Sequence, residues 1–116
     1  MSQEVHRLLA LIVNAAEDKK AVDLTILDIG KVSFVADYFV IATGTTKTQV
    51  HAIADSIMEK LKESDDALLH REGYQEGLWI LLDYGSVVVH IFQPEQRNFY
   101  HLERLWAHAP KVTGLS

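Results

Sequence analysis

Three acids, Asp28, Asp37 and Asp83, stand at the ends of apolar runs, and a glycine–threonine loop, "TGTTKT" from Thr43 to Thr48, leads into a helical pattern. Together these features suggest nucleotidyl transfer, in which carboxylates hold divalent metal and backbone N–H groups at a helix N-terminus receive phosphate. Such chemistry needs two or three converging carboxylates, typically two of them one residue apart on a strand. No Asp-x-Asp or Asp-x-Glu spacing occurs. The loop lacks the G-x-x-x-x-G-K-[ST] pattern of a nucleotide P-loop; Gly44, Thr45 and Thr46 fit a helix-capping turn instead, with Thr45 or Thr46 as the cap. The six histidines, His6, His51, His70, His90, His101 and His108, show no metal-ligand spacing, so no metal is expected. Ser33, Ser56, Ser64 and Ser86 lack a nucleophile-elbow context. His90 near Asp83 is the one suggestive acid–base pair, and it reads equally well as a structural hydrogen bond.

The elements that would position these residues must fit within 116 residues, enough for one domain with one core. An apolar fraction of 48% and a charged fraction of 23% are those of an ordinary globular protein. No apolar run approaches the roughly 20 residues of a membrane span. Glu4 ahead of the first apolar stretch argues against a signal peptide. The absence of cysteine suits a reducing cytosol, and a cytoplasmic location is expected. The net charge is −5, and the only adjacent basic pair is Lys19–Lys20, so direct sequence-specific nucleic-acid binding is not expected. A basic protein partner matches the charge.

Val5, Leu8, Leu9, Ile12, Val13 and Ala16 recur at helical spacing, with Ser2 as a cap. Val22 to Ile29 reads as a strand, and Asp37 to Thr43 as a second and central one. Val50, Ile53, Ala54, Ile57, Met58 and Leu61 line the helix after the threonine loop. "ALLHREG" predicts a short edge strand, and "GLWILLDYGSVVVHIF" a hairpin. A final helix starts at Pro94, carries Phe99, Leu102, Leu105, Trp106 and Ala109 on one stripe, and stops at Pro110. The order α-β-β-α-β-β-β-α predicts a single two-layer α+β domain, residues 1–109, with a mixed five-stranded sheet and a short tail, residues 110–116.

The hairpin has two unlike faces. With a two-residue loop at Gly85-Ser86, Leu82 opposes Val89, Ile80 opposes Ile91 and Trp79 opposes Phe92; a loop at Tyr84-Gly85 slides these pairs but keeps the faces. One face is aliphatic, with Leu78, Ile80, Leu82, Val87, Val89 and Ile91, and must take the helices. The other carries Trp79, Leu81, Asp83, Val88, His90 and Phe92. It is either an open contact surface or lies beneath the final helix or the connection before Asp37.

The blocks "SFVADYFVIATGTTKTQVHAIAD", "LWILLDYGSVVVHIF" and "RNFYHLERLW", in this order and spacing, resemble the Iojap family, the bacterial ribosome silencing factors. The resemblance runs from Val5 to about Trp106. It implies a fold similar to nucleotidyltransferases but without their catalytic carboxylates, and a non-enzymatic protein with no cofactor. It further implies binding to the large ribosomal subunit through the basic ribosomal protein numbered fourteen, which sterically blocks joining of the small subunit and represses translation when nutrients are scarce. The family's "W-x-x-x-D-x-G" block maps to Trp79, Asp83 and Gly85, with Tyr84 and Ser86 where the family often has an aliphatic residue and an acid. The expected partner-binding set is therefore Trp79, Leu81, Asp83, Tyr84, His90 and Phe92. Homodimerisation of the free protein is left open. The alternative is a small nucleotide-dependent transferase using the threonine loop and the strand-end acids, which nucleotide-induced thermal stabilisation with magnesium would reveal.

Overall fold

A computed structural model describes residues 3–112, and Ser2, the expected first cap, lies outside them with residues 113–116 of the tail. The elements are α1 (Gln3–Asp18), β1 (Val22–Asp28), β2 (Tyr38–Thr43), α2 (Lys47–Glu63), β3 (His70–Glu72), β4 (Trp79–Asp83), β5 (Val87–Phe92), α3 (Pro94–Tyr100) and α4 (Leu102–Leu105). The five strands form one mixed sheet in the order β1-β2-β5-β4-β3. Among the described strands only β2 and β5 pair parallel, because α2 and the β3–β4 excursion carry the chain from one to the other. Both central strands are buried at every position, as their unbroken apolar sequences require.

The hairpin adopts the Gly85-Ser86 turn, with Trp79 opposite Phe92, Ile80 opposite Ile91 and Leu82 opposite Val89. Gly85 has φ +89, the left-handed region in which glycine is favoured in such turns. The aliphatic face from Ile80 to Ile91 takes α1 and α2, whose buried stripes include Leu9, Ile12, Ala16, Val50, Ile53 and Ile57. Leu78 departs from the expectation: it precedes β4 and is exposed, since the ladder begins only at Trp79. Ser56 Oγ donates to the Ala15 carbonyl at 2.9 Å, tying the two helices together.

A second, smaller core lies on the opposite face. Leu27, Ile29, Ala36, Phe39, Ile41, Val88, Phe92 and Ala109 are buried there, with Leu102 and Trp106 packed against them. The expected single final helix is two short ones, broken at His101, which adopts φ 48, ψ 51. Arg97 spans the break. Its Nε and Nη2 donate to the two carboxylate oxygens of Glu103 at 3.0 Å each, Nη1 donates to Thr43 Oγ1 at 2.8 Å, and Nη2 also donates to Thr25 Oγ1 at 3.2 Å. This clamp turns α4 down onto the sheet, where Trp106 meets the Phe39 ring edge-on at 5.6 Å. Beyond it, Asp28 N–H donates to the Pro110 carbonyl and Val112 N–H to the Ile26 carbonyl, so residues 110–112 run along the β1 edge.

Candidate protein-interaction surface

Gly44, Thr45 and Thr46 of the threonine loop each serve the fold of the molecule itself. Thr46 is the N-cap of α2, and its hydroxyl oxygen accepts the Gln49 N–H at 3.1 Å. Thr45 donates from both N–H and hydroxyl to Gln49 Oε1, at 2.6 and 2.8 Å, a variant of the capping box. Gln49 Nε2 then donates to the carbonyls of Lys19 and Lys20, at 3.1 and 2.9 Å, locking the end of α1 to the start of α2. Gly44 must lack a side chain because a Cβ would stand 2.8 Å from Val50 N and 2.9 Å from Val50 Cγ2. Both hydroxyls therefore hold the helix. Thr45→Ala/Thr46→Ala is expected to cost about 1–2 kcal/mol, a melting temperature lower by roughly 4–8 °C. Its affinity for the partner at low temperature should stay unchanged, which a thermal melt beside a binding isotherm checks.

The strand-end acids do not converge. Asp28 is in register with Tyr38, on the face that carries α1 and α2, whereas Asp83 pairs with Val88 on the other face, across β2 and β5. Asp83 Oδ1 accepts the Gly85 N–H at 2.8 Å and so also supports the turn. Among the described residues no three His, Asp or Glu side chains are grouped to hold a metal ion. His51 Nε2 pairs with the Tyr74 carbonyl, and His70 Nε2 lies 3.4 Å from Glu72 Oε2.

The sheet face that carries the mixed side of the hairpin is divided between two surroundings. Over β1 and β2 it is roofed by Leu102, Trp106 and Ala109. Along β4, Trp79, Leu81 and Asp83 remain partly exposed, beside the fully exposed β3. Trp79 stacks on Phe92 at 4.9 Å and leans on Tyr100 at 4.8 Å. From Trp79 a shallow groove continues between Leu78, Phe99 and Tyr100, rimmed by Glu76 and Glu95. The groove thus sets exposed apolar and aromatic side chains within an acidic margin, the kind of patch that marks contact sites.

Of the residues expected from sequence at this surface, Trp79, Leu81 and Asp83 are presented on it. His90 and Phe92, 4% and 1% exposed, lie beneath, where they shape the surface without reaching it. Tyr84 is turned into the main core on the opposite face, where burial pushes its phenol up to about 12. Phe99 and Leu105, read from sequence as core, are instead 77% and 72% exposed, because the break at His101 rotates the two halves of the expected stripe apart. Phe99 and Tyr100 are the residues that pattern reading missed at this surface. Local spacing offered no signal for them, since adjacent helix positions such as Leu8 and Leu9 do share one buried face in this chain.

Among the described residues no helix is long and apolar enough to cross a membrane. The family described as "Ribosomal silencing factor during starvation" matches residues 2–115. A ribosomal silencing factor RsfS of Halalkalibacterium halodurans is 42% identical over 105 residues, covering 90% of both chains. Another, from Bacillus subtilis, is 42% identical over 103 residues, covering 89% of this chain and 87% of its own. A crystal structure of a Chromobacterium violaceum protein superposes with a TM-score of 0.85 at 38% identity, over 87% of this chain and 84% of that one. With the family description matching nearly the whole chain, and the fold and some nine-tenths of the length shared with such relatives, the chain belongs to the ribosomal silencing factor family, RsfS.

Proposed function

We propose that this chain silences ribosomes without catalysis, by laying the β4 side of its sheet against a basic protein of the large subunit, the ribosomal protein numbered fourteen, and thereby blocking the small subunit from joining. The observation that carries this reading is the partly exposed Trp79–Leu81–Asp83 column, continued by the acid-rimmed groove at Phe99 and Tyr100. Aromatic side chains anchor protein contacts, and acids at the margin steer a cationic partner. The net charge of −5 adds to that attraction and opposes binding to the RNA around it. The family description ties silencing to starvation, which suits a cytoplasmic protein that withholds subunits when nutrients are scarce. In a sucrose gradient of cell lysate the chain should travel with free large subunits and be absent from joined ribosomes. Equal occupancy of both populations would rule out the steric mechanism, because blocker and small subunit could then share one surface.

A further inference from the structure

The buried imidazole of His90 is hard to explain by packing. It lies between Ile41 on β2 and Leu81 on β4. Its ring centroid is 4.6 Å from that of Phe39 and 5.9 Å from that of Trp79. Burial disfavours the charged ring and pushes its pKa down to about 4, so the ring is neutral near pH 7. The Trp79 indole Nε1–H donates to His90 Nδ1 at 3.1 Å. A neutral imidazole has one donor and one acceptor nitrogen, so its proton sits on Nε2. That nitrogen is buried without a hydrogen-bond partner among the described residues. A buried donor with no acceptor lowers stability, and an aliphatic side chain would fill the space without that loss. Among the described residues the imidazole makes one hydrogen bond, with the indole of Trp79.

That contact has a geometric consequence. Stacking on Phe92 and Tyr100 keeps the Trp79 ring near the surface but does not choose its edge. The outer torsion of a tryptophan is broad and close to two-fold, so apolar packing alone leaves the N–H edge poorly determined. A hydrogen bond from one edge to a fixed acceptor removes that freedom. We infer that His90 is a positioning residue: from beneath the surface its Nδ1 pins the Trp79 indole in the orientation that meets the protein partner, without touching that partner. This rests on the reading of Trp79 as a ribosome contact.

The test uses the full chain, alone for nuclear magnetic resonance and with purified free large subunits for affinity. Trp79→Phe identifies the Trp79 indole resonance against that of Trp106. In the unaltered protein the imidazole nitrogens should report the Nε2–H tautomer, and the indole proton should carry the downfield shift of a hydrogen-bonded N–H. In His90→Leu that shift should vanish and the Kd rise by about 5- to 10-fold, the cost of ordering one side chain on binding. Its melting temperature should hold or rise. His90→Asn, which offers a carbonyl oxygen near the place of Nδ1, should restore both the shift and most of the affinity. An Nδ1–H tautomer in the unaltered protein, or unaltered affinity in His90→Leu, overturns the inference. The tautomer and the asparagine variant decide the matter even where the leucine variant fails to fold. Pinning is read from the free protein and contact from affinity. A Trp79→Ala chain that binds normally therefore removes the contact reading, while the resonances still report the pinning.

Discussion

Trp79→Ala is expected to weaken binding to free large ribosomal subunits by at least about 2 kcal/mol, roughly 30-fold, the usual loss for an aromatic anchor near an interface centre. Its stability should fall less. The ring is only partly buried and stands on Phe92, which stays in place beneath it, so about 1–2 kcal/mol is expected rather than the roughly 3–5 of a tryptophan removed from a full core. Affinity measured well below the melting temperature separates the two effects. A large drop in melting temperature with undiminished affinity of the folded fraction would make Trp79 a core residue and nothing more. Asp83 needs a subtler change, because its Oδ1 also accepts the Gly85 N–H. Asp83→Asn keeps an oxygen there and removes only the charge. Association should become slower and less dependent on salt, while the melting temperature stays close to that of the parent.

Arg97→Met should give the largest loss of stability of any substitution near the surface, about 2–3 kcal/mol. The guanidinium is the shared partner of Glu103, Thr43 and Thr25, and its side chain is 11% exposed. Removing it leaves the buried Thr43 hydroxyl without this partner and Glu103 without its fork. Glu103 keeps access to water, which holds the loss below that of a fully buried pair. Arg97→Lys should recover only part of it, since an ammonium cannot span two carboxylate oxygens and two hydroxyls in one plane. The pair also sets a pH dependence. Hydrogen bonding from Arg97 lowers the Glu103 pKa below its ordinary value, so its contribution is present above the unfolded glutamate pKa and is lost as pH falls through the folded one. Melting temperatures taken from neutral pH into acid should converge between the parent and Arg97→Met. Curves that stay parallel would show that the pair is not the source.

Much of this architecture was legible because its signals are local. The stripe from Val50 to Leu61, the threonine cap and the two unlike faces of the hairpin all follow from spacings of two, three or four residues. The two-residue turn fixes side-chain parity, so Trp79, Leu81 and Asp83 had to share a face with His90 and Phe92 whichever of the two loops formed. The break at His101 was not legible. Phe99, Leu102, Leu105, Trp106 and Ala109 satisfy a helical period, and the interaction that bends the chain joins Arg97 to hydroxyls on β1 and β2, more than fifty residues away. The exposure of Phe99 depends on that same break, whereas the inward turn of Tyr84 continues the parity of Ile80 and Leu82 and was open to local reading.

By itself the sequence determined one α+β domain with an acidic surface, a capped second helix and a hairpin whose second face mixes aromatics with Asp83 and His90, because periodicity, turn chemistry and charge are properties of neighbouring residues. Tertiary structure decided which part of that face is roofed by α4 and which stays open along β4. It also decided that His90 lies buried beneath Trp79 and that Asp28 and Asp83 stand on opposite sides of the sheet. Those outcomes depend on the parallel pairing of β2 with β5 and on where Arg97 finds its partners. Such contacts form between segments far apart in the chain, and no local spacing encodes them.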